Sequence, residues 1–91
     1  MSLRQEERDV ISKIASMMDE KADNPLVGVA TFGGLALASK LSTVADKESA
    51  AEALFAIGSS SISAADPFDD DDFMQMQLGI ISLYAANELL K

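Results

Sequence analysis

The chain reads as an α/β (α+β) sandwich, one domain over residues 1–91 in the order α-β-β-α-β-β, with a further strand at its end. Three observations predict it. Two apolar runs flank the pair Gly33-Gly34 within Leu26–Leu41. Thr43–Ala65 carries small and apolar residues at helical spacing, and Phe73–Leu78 alternates between apolar and polar. An all-α four-helix bundle is the competing architecture, because two of these three segments also admit a helical reading.

The first element is a helix over residues 1–22. Val10, Ile14 and Met17, with Ile11 and Met18, recur at three- and four-residue spacing and form one apolar stripe. Ser2 with Gln5 has the pattern of a capping box. Asp23-Asn24-Pro25 ends the helix, since the residue before proline is pushed out of the α region.

Residues 26–41 follow as a hairpin. A two-residue type I′ turn needs positive φ at both central positions, which glycine adopts without steric penalty. Gly33 and Gly34 supply it. Phe32 then pairs with Leu35 and Ala30 with Leu37 on one face. Both faces are apolar, so the hairpin is expected to be covered on both sides. The helical alternative makes Asn24-Pro25 an N-cap and N1 pair, at a cost of roughly 1 kcal/mol for each interior glycine relative to alanine.

A long helix occupies residues 43–65, capped by Thr43 or Asp46. Glu48, Glu52, Ser59 and Ser63 form a narrow polar stripe between two apolar faces. A helix with two dry faces packs against two things. One is the sheet; the other is expected to be a second copy of the chain. Ala50, Ala53, Leu54, Ile57 and Ser61 are the expected dimer contacts, their small members allowing close approach.

Pro67 and the run Asp69–Asp72 break the chain. Residues 73–91 follow as strands: Met74, Met76 and Leu78 alternate with Phe73, Gln75 and Gln77. Gly79 and Asn87-Glu88 are the expected turns. The rival is one C-terminal helix with the aspartates at its N-terminus, where the helix dipole favours anions. Residue propensities favour that rival.

This order of elements resembles the roadblock family, which includes dynein light chains and regulators of small GTPases. The likeness rests on Gly34-Leu35-Ala36-Leu37-Ala38-Ser39 as a turn and second strand, on the alanine-rich helix over 47–65, and on the strands over 73–86. The resemblance implies a homodimer formed through the central helix and an adjacent strand. It also implies an adaptor or regulator of a small GTPase, with no catalytic residue of its own. The alternative fold goes with a different role, a small acidic protein-binding inhibitor or assembly subunit.

Charge and chemistry narrow the function further. Net charge is −8. Residues 46–91 hold nine acids against two bases, whereas residues 1–45 are nearly balanced. Without a basic patch the chain is not expected to bind nucleic acid, because phosphate contacts need Lys and Arg. Histidine and cysteine are both absent, which removes the commonest general base, the best soft nucleophile and any disulfide framework. No catalytic, cofactor or metal site is expected, and the chain suits the cytoplasm. The uncharged run Pro25–Ser39 is shorter than the ~20 residues of a membrane span.

The four aspartates Asp69, Asp70, Asp71 and Asp72 are read as an acidic surface that tunes association. They do not match an EF-hand: Met74 stands where a third ligand belongs, and no glycine marks the sharp turn.

Overall fold

Four helices make up the chain in the computed structural model, which describes residues 3–21, 23–44, 46–64 and 70–91, with backbone only at 26, 62–64 and 70–76. They are α1 (Gln5–Glu20), α2 (Pro25–Val44), α3 (Lys47–Ala64) and α4 (Asp70–Leu90). No strand occurs among the described residues. The α/β sandwich is therefore overturned in favour of the all-helical alternative.

Both predicted sheet segments are helical. Residues 26–41 lie wholly within α2, and no glycine among the described residues has positive φ, so Gly33-Gly34 is not a turn. The helix starts at Pro25 behind Asn24, whose carbonyl accepts the Gly28 N–H at 2.8 Å. Residues 73–90 are one helix running through Gly79 and Asn87-Glu88. The α1 start shifts as well. Arg4 is its N-cap, and the Glu7 carboxylate accepts the Arg4 backbone N–H at 2.9 Å. The expected Ser2 cap lies outside the described residues. The Asp46 cap of α3 is in place, its carboxylate accepting the Ser49 N–H at 3.0 Å.

α4 is the central element. Ser82, Leu83, Tyr84, Ala85 and Ala86 are five consecutive buried residues. At 3.6 residues per turn they cover the whole circumference of the helix. The other three helices surround it and scarcely touch one another; α3 lies most closely against it, then α2, then α1. A helix buried on every side must be apolar on every side, and Gly79–Ala86 carries no charge.

Two glycines set how closely the neighbours approach. A Cβ on Gly58 of α3 would fall 2.7 Å from Leu83 Cγ and 2.9 Å from the Gly79 carbonyl oxygen. One on Gly34 of α2 would meet Tyr84 Cδ1 at 2.9 Å and the Ile81 carbonyl oxygen at 3.2 Å. The cost of a helix-interior glycine is thus offset by backbone contact with α4. Around these crossings the core divides in two. Ile11, Ala51, Leu54, Leu83, Ala86 and Leu89 belong to one cluster, and Ala15, Met18, Ala30 and Tyr84 to the other. Ser82, the one buried polar side chain among the described residues, donates its hydroxyl to the Leu78 carbonyl at 2.9 Å.

Candidate interaction surface

α2 binds α4 through Ala30, Gly34 and Ala38, which recur every fourth residue and are buried. At 100° per residue the opposite face is centred on Phe32 and takes in Gly28, Val29, Leu35, Ala36 and Ser39. Phe32 is 75% exposed, Val29 66% and Leu35 45%. Lys40, at the edge of this face, is the single charge on the helix. The hydroxyls nearby turn inward: Thr31 donates to the Gly28 carbonyl at 2.9 Å and Thr43 to the Lys40 carbonyl at 2.7 Å.

By length and composition, Val27–Val44 is a helix that can cross a membrane; 17% of it is buried within the chain. The sequence reading measured the apolar run only to Ser39. The observed helix continues to Val44.

The expected dimer contacts are divided by the fold. Ala50 and Leu54 are buried in the chain's own core. Ala53 and Ile57 point outward, Ile57 being 52% exposed, and Ser61 is half-buried. Of the acidic run, Asp69 lies outside the described residues, and Asp70–Asp72 occupy the first turn of α4, the end whose dipole favours anions.

A shallow polar cleft of about 270 Å³ lies between α1 and the end of α4, lined by Gln5, Arg8, Asn87 and Lys91 among others. Its charged groups are engaged elsewhere. Arg8 pairs with Glu48 of α3 and donates to the Leu3 carbonyl at 3.3 Å. Gln5 bonds Asp9 at 2.8 Å, and Lys91 pairs with Glu88 at 2.9 Å. That pairing raises the Lys91 pKa. At the start of α1, the backbone N–H of Arg4 lowers the pKa of Glu7. Tyr84 is pushed up to about 12, first by burial and then by its hydrogen bond to Asp19. No three acidic, histidine or cysteine side chains converge among the described residues.

No protein-family model matches this chain, and no curated protein or solved structure is significantly similar to it.

Sequence reasoning missed the α2 face. Its advance signals were the charge-free run from Pro25 to Ser39 and, in the helical alternative, the small-residue stripe of Ala30, Gly34 and Ala38, both of which the hairpin reading assigned to a covered sheet.

Proposed function

We propose that this chain is a non-catalytic, all-helical protein-binding module, an assembly subunit or inhibitor, that makes contact through the outward face of α2. The observation that carries this reading is Phe32, three-quarters exposed at the centre of a face without charge. Large aromatic side chains are the usual anchors of protein interfaces, and a contiguous exposed apolar strip marks an interaction site. The helical architecture favours this role over regulation of a small GTPase, whose support came from a sheet that is not observed.

The test is site-specific photo-crosslinking in cells. A benzophenone side chain placed at Ala36 is expected to give a protein adduct that Phe32→Asp abolishes. The same probe at Ser12, an exposed polar position on α1, is expected to give none. Equal labelling at both positions, or none at Ala36, overturns the proposal.

A further inference from the structure

Resting on the reading of α2 as a contact face, we infer that its occupant is the α2 of a second copy of this chain, packed antiparallel about a two-fold axis at Phe32. A symmetric interface uses the same patch on both partners, so it must be self-complementary. The exposed face has that property. Counting outward from Phe32, the large residues Val29 and Leu35 lie three positions away on either side, and the small residues Gly28 and Ala36 lie four away. Antiparallel pairing about Phe32 seats Leu35 of one copy over Gly28 of the other, and Val29 over Ala36, with the two Phe32 rings at the axis. Each large side chain meets a small one, which is how helix ridges fill helix grooves.

Charge points the same way. Two chains of net charge −8 repel, and the α2 face lets them meet without opposing like charges. Antiparallel pairing also brings the two ends of α2 together. Lys40 near one end then lies at the same end of the pair as Asp23, which precedes the other. Both are exposed, and neither takes part in an ion pair among the described residues.

Area sets the strength. A 20-residue helix is ~30 Å long and ~10 Å wide, so its contact falls below the ~800 Å² per partner of a stable complex. The dimer is therefore reversible. Each chain keeps its own core, with Ile11, Ala51, Ala85 and Ala86 fully enclosed.

Sedimentation equilibrium on the full chain, from 1 μM to 1 mM, reads the association. A monomer–dimer equilibrium is expected, weakened by more than about 100-fold in Phe32→Asp, which removes two anchors at once. Asp23→Lys and Lys40→Asp each weaken it by about fivefold, both symmetric pairs counted, and the double exchange restores it. The chain has no cysteine, so disulfide trapping gives a second readout that needs no loss of function. Phe32→Cys is expected to link to itself. Val29→Cys and Ala36→Cys are expected to link to each other in a mixture and neither to itself.

Self-linking of Val29→Cys overturns the antiparallel register. Linking through Ala53→Cys in place of Phe32→Cys moves the contact to α3 and overturns the inference. A monomer at 1 mM overturns it as well. If in that case the Ala36 photoprobe still captures a different protein, the contact face stands and only its occupant was wrong. If neutral phosphatidylcholine vesicles take up the monomer and Phe32→Asp prevents this, the face belongs to a lipid surface and both readings fall.

Discussion

The Tyr84 hydroxyl donates to the Asp19 carboxylate at 2.9 Å, joining residues 65 positions apart. The bond ties the end of α1 to the middle of α4, on the side where Gly34 brings α2 against the tyrosine ring. Tyr84 is buried and Asp19 exposed, so one end of the bond is dry and the other wet.

Tyr84→Phe is expected to cost about 1–2 kcal/mol, in the lower range for a hydrogen bond to a charged group because Asp19 regains water. The pH dependence follows from the sign of the shift. The Tyr84 pKa rises from 10.0 unfolded to about 12 folded. Its stabilisation is complete below pH 10 and is lost as pH rises from 10 through 12. Urea midpoints measured from pH 8 to 12 should fall more steeply for the wild type than for Tyr84→Phe. Lys91, also shifted upward, contributes equally to both proteins and cancels in the difference.

The adjacent glycines of α2 should respond with opposite signs. A Cβ on Gly33 would lie 3.7 Å from the Ile81 side chain, an ordinary contact. Gly33→Ala therefore gains helix propensity, about 0.5–1 kcal/mol. Gly34→Ala drives a methyl into the Tyr84 side chain and Gly58→Ala drives one into Leu83 and the Gly79 carbonyl, and each should lose about 1–3 kcal/mol. Thermal melts would show a rise of several degrees for the first and a fall for the others. Parallel losses at Gly33 and Gly34 would contradict the helix orientation.

Core and surface apolar residues separate in the same way. Leu83 is 1% exposed, and Leu83→Ala should cost about 2–5 kcal/mol. Phe32→Ala removes a larger side chain yet should change monomer stability by less than about 0.5 kcal/mol, because that side chain is already in water. Chemical denaturation at low micromolar concentration checks both.

Asp46→Ala removes the cap of α3 and leaves the Ser49 N–H to water. A loss of about 1 kcal/mol is expected. Asp46→Asn should retain most of the stability, since an amide oxygen also caps. Circular dichroism melts of the two variants decide this.

Two of the four helices were legible from the sequence because their signals are local. The stripe of Val10, Ile11, Ile14, Met17 and Met18 sits within a few residues of what it controls, although Val10 and Met17 prove exposed at its edges. Of the two expected caps of α3, Asp46 is the one in place, while Thr43 lies within α2. The other two helices were hidden by signals that are not local. Gly33-Gly34 has the chemistry of a turn, and what makes Gly34 helical is Tyr84 and Ile81, some fifty positions away. Phe73–Leu78 fits period two over six residues, a window too short to separate strand from helix, and the helix-forming Met, Gln and Leu were the better guide. The α2 face was harder still. In the helical alternative Ala30, Gly34 and Ala38 form a stripe of small residues at four-residue spacing, the side that meets α4, but the hairpin reading set that spacing aside and with it the opposite face at Phe32.

The post around which this bundle is built is the last of its helices to leave the ribosome. Until residues 70–90 have emerged, α1, α2 and α3 have almost nothing to rest on, since they barely contact one another. A nascent chain ending before α4 carries the exposed apolar length of α2 without its shelter on α4, and most of a helix's stability in a protein comes from such packing rather than from propensity. Folding must therefore follow synthesis of these residues rather than accompany it, and the interval before α4 arrives is when the chain is most vulnerable to proteases and to clumping.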